Sequence, residues 1–300
     1  MSPPTIHMLD VPGARLFCEV QGFGPTLLLF GHPMGASGFA PIAPLLAEFF
    51  TVVTYDLRGF ARSTIDNSEQ DAEPDLLADD ARQVLEAVGT LPAHVFGSSG
   101  GAVTGLALVA RHPDHVETLI AHEPPLALLL PDAEEARAGI HQIYETYRNS
   151  GITAAWETFS SFTGMNAVRR DDGVDPQPPS AEEVVTSERF FAHGFVPIAL
   201  YQPDITALRE APGRLVVAGG TASEGQFAHR TAVALAGCLG TPLNRYPGGP
   251  YRFRQRAERM CRRPPPHLDV ALQGQAATPR RRSGAGLSSA RGTRSLSFAS

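Results

Sequence analysis

The residues best suited to chemistry are Gly97-Ser98-Ser99-Gly100-Gly101, which fit the spacing Gly-x-Ser-x-Gly with Ser99 at the centre. A short predicted strand, His94–Phe96, precedes them, and a helical pattern from Ala102 to about His112 follows. A serine held on so tight a strand-to-helix turn is exposed to attack a carbonyl carbon. The flanking glycines are needed where a Cβ would strike the strand or the helix. The N–H groups that open the following helix face the serine and favour developing negative charge. Ser98 is out of register for this role. The plainer reading of the same residues is an ordinary Gly/Ser turn.

A second segment, Gly31-His32-Pro33-Met34-Gly35, directly follows the apolar run Thr26–Phe30. A third is Thr51-Val52-Val53-Thr54-Tyr55-Asp56-Leu57-Arg58-Gly59-Phe60-Ala61-Arg62-Ser63. Taken with the serine turn, these resemble the α/β-hydrolase family over roughly residues 12–249. The resemblance implies an oxyanion hole made by the backbone N–H groups of His32 and Gly100, because Pro33 has no N–H to offer. Phe30 stands where the family usually has a loop histidine, so His32 occupies the variable position. Its side chain is a weak candidate for a catalytic base. Asp56, Arg58 and Arg62 read as turn and ion-pair residues.

In this family the serine is followed in the chain by an acid and then a histidine. Two glutamates are placed for the acid. Glu123 sits in His122-Glu123-Pro124-Pro125 after the apolar run Val116–Ala121, and Glu224 follows the run Arg214–Ala218. Glu123 is preferred, since Thr221 and Ser223 fill the usual place nearest the end of the later run. The histidine is expected behind Gly248-Gly249, but Pro250 stands there. From that point the chain is rich in arginine and proline, with Arg262-Arg263, Pro264-Pro265-Pro266 and Arg280-Arg281-Arg282. Such a segment buries too little apolar surface to fold. It is either a genuine basic tail or the product of a reading-frame slip near Gly249, and the abrupt change of composition favours the slip.

The elements that must position these residues alternate. Thr5–Leu9 and Ala14–Val20 form a hairpin through Pro12-Gly13. Thr26–Phe30, Thr51–Tyr55, His94–Phe96, Val116–Ala121, Arg214–Ala218 and Pro242–Tyr246 read as strands. Helical spacing falls at Phe39–Phe49, Asp75–Val88, Ala102–His112 and Phe227–Leu239. This rhythm implies an α/β fold, a mostly parallel sheet with helices on both faces, and the resemblance suggests about eight strands. Between residues 126 and 212 only helical patterns occur, at Asp132–Arg148, Thr153–Phe162 and about Ala181–Ala192, broken by Pro176, Pro178 and Pro179. The expected organisation is therefore a hydrolase core in two parts, 1–125 and 213–249, a helical cap at 126–212, and a disordered tail at 250–300.

Composition narrows the function. Residues 251–300 hold 11 Arg against Glu258 and Asp269, a net of +9, so the −6 of the chain leaves −15 on residues 1–250. An acidic body argues against nucleic-acid binding. No apolar run approaches the ~18 residues of a membrane span, and Met1–Asp10 lacks the pattern of a signal peptide. Three widely spaced cysteines, Cys18, Cys238 and Cys261, fit reduced thiols in a cytoplasmic protein. The expectation is a serine hydrolase acting on a small ester, thioester or amide, with no metal or cofactor, and impaired by the missing histidine. The alternatives are an inactive binding protein on the same fold and a cofactor-free perhydrolase. Dehalogenase and epoxide-hydrolase chemistry is disfavoured, because those relatives carry aspartate where Ser99 stands.

Overall fold

The computed structural model describes residues 3–165, 180–211 and 215–246. Two antiparallel strands, β1 (Thr5–Val11) and β2 (Ala14–Gly22), open the chain and turn at Gly13. The strand β3 (Thr26–His32) is buried at every residue, as its unbroken apolar run requires of a central parallel strand. It is followed by a 3-10 turn at Ala36–Phe39 and the one-turn helix α1 (Ala43–Leu46). The longer helix expected at Phe39–Phe49 does not form. Pro41 and Pro44 lie inside that pattern, and proline is tolerated only in a helix's first turn, where Pro44 sits.

The strand β4 (Thr51–Tyr55), the two-residue strand β5 (Thr64–Ile65), the helix α2 (Pro74–Val88), the strand β6 (Ala93–Ser99), the helix α3 (Gly100–Arg111) and the strand β7 (Val116–His122) come next. The sheet runs β1-β2-β4-β3-β6-β7, and is extended by β8 (Leu215–Gly220) and β9 (Asn244–Tyr246). Eight strands lie on this path; β5, not foreseen, pairs with β2 as a ninth. From β4 to β9 all pairings are parallel. The chain leaves β3 toward β4 on one side and leaves β6 toward β7 on the other. The carboxyl ends of β3 and β6 therefore flank the point where strand order reverses, the place where open parallel sheets hold ligands.

Between β7 and β8 the described residues form helices. The run α4 (Ala133–Thr163) was expected as two helices. It is continuous apart from Gly151, whose φ of 81° and ψ of −176° put a kink at the predicted gap. A side chain at that φ would be strained, so glycine sets where the kink falls. The helix α5 (Ala181–Arg189) starts at a Ser180/Glu183 capping box. A π turn, Phe190–Gly194, joins it to α6 (Phe195–Ala199), and α7 (Ile205–Glu210) follows. Trp156, Phe159, Phe190, Phe191 and Phe195 pack together, with Trp156 and Phe190 stacked at 5.7 Å. After β8, α8 (Phe227–Leu239) leads to β9. The prolines at 176, 178 and 179, Arg214, and everything after Tyr246, including Pro250 and the arginine-rich segment, lie outside the described residues.

Candidate active site

Ser99 ends β6 and caps α3 with φ 54° and ψ −124°, one of three described non-glycine residues at positive φ. An L-residue rarely holds that conformation unless its surroundings impose it. Here the packing does so. A Cβ at Gly97 would come within 2.8 Å of Ala102 Cα, and one at Gly101 within 2.8 Å of Gly31 Cα. The two glycines that the motif required are thus where strand, turn and helix touch backbone to backbone.

His32 ends β3 and is the register partner of Ser99 across the β3/β6 pair. Its position is fixed from behind by Asp56, which follows β4. Asp56 accepts the N–H of Ala36 at 2.7 Å, the N–H of Arg62 at 3.2 Å and the Arg62 Nε–H at 2.7 Å. This ties the loop after His32 to the turn after β4. Arg58, also fully buried, forms a two-pronged pair with Asp80 of α2 at 2.5 and 2.6 Å. Asp56, Arg58 and Arg62 are committed to ion pairs, as their sequence suggested.

The two candidate acids separate clearly. Glu224 is exposed and meets Arg245 at 3.5 Å. Glu123 is fully buried directly after β7, with φ 51°, and its backbone N–H is held by Ala218 O at 3.0 Å. Its Oε1 accepts the N–H of Gly220 at 2.7 Å and the hydroxyl of Ser223. Its Oε2 is buried without a partner among the described residues. Burial raises the Glu123 pKa above the ordinary carboxylate value, and the bonds from Ser223 and Gly220 work in the opposite direction. Ser223, singled out in the sequence only as an obstacle to an acid near the end of β8, turns out to support Glu123 instead. Sequence offered no sign of this, because the two residues are 100 positions apart.

A cavity of about 50 Å³ opens at Ser99. Its described walls include His32, Pro33 and Gly100 from the sheet edge, Trp156, Phe159, Phe190, Phe195 and Ile198 from the intervening helices, and Gln226 and Phe227 at the start of α8. No charged residue is among its described lining. The His32 ring is buried, and that burial, helped by the positive charge of Arg189, lowers its pKa to about 3. It is neutral near pH 7 and a poor proton acceptor. No group of His, Cys, Asp and Glu that could hold a metal occurs among the described residues. No described helix is long and apolar enough to cross a membrane.

Comparison with known proteins agrees with this fold. Residues 25–181 match a family described as alpha/beta hydrolase fold. A Bacillus subtilis (strain 168) protein named "Uncharacterized hydrolase YraK" is 34% identical over 248 residues, spanning 80% of this chain and 87% of that protein. A fluoroacetate dehalogenase from Burkholderia sp is 36% identical over 121 residues, 38% of each chain. Among solved structures, a thermophilic esterase from Thermogutta terrifontis superposes with a TM-score of 0.66 at 20% identity, covering 91% of this chain and 99% of the esterase.

Proposed function

Because the chain belongs to the α/β-hydrolase family and is a hydrolase of that superfamily, we propose that it cleaves a small ester, thioester or amide through an acyl-enzyme on Ser99. The observation that carries this reading is the forced positive φ of Ser99 at the head of α3, opening into an apolar cavity. The Ser99 oxygen attacks the carbonyl carbon, and the backbone N–H groups of His32 and Gly100 hold the charge that gathers on the carbonyl oxygen. The bond to the leaving group breaks, and that group departs with the electron pair and takes a proton. Water then adds to the acyl carbon, releasing the acid and restoring Ser99. These steps call on no metal or cofactor. Halide displacement from a relative such as the dehalogenase is a different reaction, and an alcohol side chain is ill suited to it.

Glu123 is the acid of this scheme. It has a buried oxygen free to orient an imidazole, whereas Glu224 is paired at the surface. The described helices between β7 and β8 act as the cap, and their aromatic cluster gives the cavity its apolar wall. The base is the weak point. His32 is the histidine among the described cavity walls, and its burial disfavours the protonated form a base must take up. Beyond Gly249 the sequence offers one histidine, His267, and none at 250. The proton of Ser99 must then pass to water, and turnover is slow.

The test is hydrolysis of a short-chain p-nitrophenyl ester by the chain and by Ser99→Ala. A slow, saturable turnover that Ser99→Ala removes is expected. Robust turnover indifferent to Ser99→Ala would overturn the assignment.

A further inference from the structure

We propose that the His32 side chain determines specificity by hydrogen-bonding an uncharged polar group on the acyl part of the substrate, such as a hydroxyl, ether or carbonyl near the reacting carbon. This rests on the serine reading and adds a substrate class to it: short acyl groups that are apolar except for one neutral polar group.

His32 is 4% exposed, yet neither Nδ1 nor Nε2 has a hydrogen-bond partner among the described residues. A neutral imidazole carries one donor and one acceptor, and leaving buried polar groups unpaired costs roughly 1–3 kcal/mol each. The neighbours cannot supply the missing bonds. Phe60 lies edge-on at 4.9 Å between ring centroids and Phe190 at 5.6 Å. Two glycines approach other parts of the ring. A Cβ at Gly194 would fall 2.6 Å from Cε1 and 2.8 Å from Nε2, and a Cβ at Gly100 would fall 3.1 Å from Nδ1. Gly194 is delivered by the π turn, a local irregularity often found at functional sites. Two glycine positions thus leave room for an imidazole that has no hydrogen-bond partner among the described residues.

The ring also lies at the reacting end of the cavity. Its residue is the register partner of Ser99, and its Nδ1 is beside Gly100, whose N–H is the proposed second oxyanion donor. The rest of the described lining is largely hydrocarbon. The Thr163 hydroxyl is already committed to Phe159 O at 2.8 Å, and the Gln226 amide is the other polar side chain, on the wall formed by the start of α8. With no charged residue in the described lining, a substrate carboxylate would find no counter-ion, whereas a neutral polar group finds His32.

The experiment uses the full chain and two methyl esters, butyrate and 3-hydroxybutyrate, followed by pH-stat. The expected result is a kcat/KM about tenfold or more in favour of the hydroxy ester, the size of one hydrogen bond to a site built for it. His32→Leu should remove or invert that ratio, and His32→Gln, which can still hydrogen-bond, should retain part of it. Because the readout is a ratio within one protein, loss of folded material does not imitate the effect. A parallel arm measures binding of 3-hydroxybutyramide and butyramide to Ser99→Ala by calorimetry, with and without His32→Leu. If the serine reading fails, both esters go uncleaved while the binding preference persists. Equal ratios in the wild type, or a preference that survives His32→Leu, would overturn the proposal.

Discussion

Asp56 and Glu123 make an instructive pair. Each directly follows a parallel strand, each is fully buried, and each lies at the carboxyl edge of the sheet. Asp56 has both oxygens filled, by Ala36 N–H on one and by Arg62 on the other. Glu123 has two donors on Oε1 and none among the described residues on Oε2. A saturated buried carboxylate is consumed by the structure, here in holding the loop after His32. A half-saturated one has bonding capacity left, at a cost the fold tolerates, and that capacity is what a catalytic acid needs to orient a base. Burial alone does not distinguish these two carboxylates; the count of donors per oxygen does.

The sharpest way to break this comparison is to supply a partner for Glu123 Oε2, which has none among the described residues. In a chain carrying Pro250→His and an amphipathic final helix in place of the arginine-rich segment, ester hydrolysis should rise by orders of magnitude. There, Glu123→Gln should lower kcat by about a hundredfold or more, as removal of an orienting acid does in comparable triads. In the chain as it stands, the same substitution should change the rate less than about threefold, since Pro250 stands where the orienting histidine is expected. Steady-state kinetics on the four proteins read the coupling directly, and equal effects of Glu123→Gln in both backgrounds would dissolve the contrast with Asp56.

Asp56 should behave in the opposite manner. Asp56→Ala strips partners from Ala36 and Arg62 and should cost about 2–4 kcal/mol of stability. Glu123→Gln keeps an oxygen for Gly220 and Ser223 and should stay within about 1 kcal/mol of the parent. Denaturant unfolding distinguishes the two. The smallest effect belongs to Glu224, exposed and paired only at the surface. Glu224→Gln should leave stability within about 0.5 kcal/mol and the rate unchanged.

The sequence made some of this legible and concealed the rest for identifiable reasons. The serine turn was readable because its glycines answer a local steric demand, and the structure places backbone atoms against both. Strands such as β3 and β4 were readable because an unbroken apolar run has few other uses in an α/β chain. The helix expected at Phe39–Phe49 failed because apolar spacing was weighed above Pro41 and Pro44. The strand β5 is two residues long, too short to carry a period. The Ser223 bond to Glu123 and the Gly194 contact with His32 join positions far apart in the chain, and no local pattern encodes them. The choice of Glu123 over Glu224 drew on the resemblance, whereas the feature that now separates them, an unpaired buried oxygen, exists only in three dimensions.

The central claim is that Ser99 is the nucleophile, and covalent trapping tests it most directly. The chain is incubated with a fluorophosphonate probe at neutral pH, digested, and mapped by mass spectrometry. The account predicts slow labelling confined to Ser99, abolished in Ser99→Ala and faster once the histidine is supplied by Pro250→His with its final helix. No adduct on Ser99 in either background, or an adduct on another residue that persists in Ser99→Ala, would contradict it.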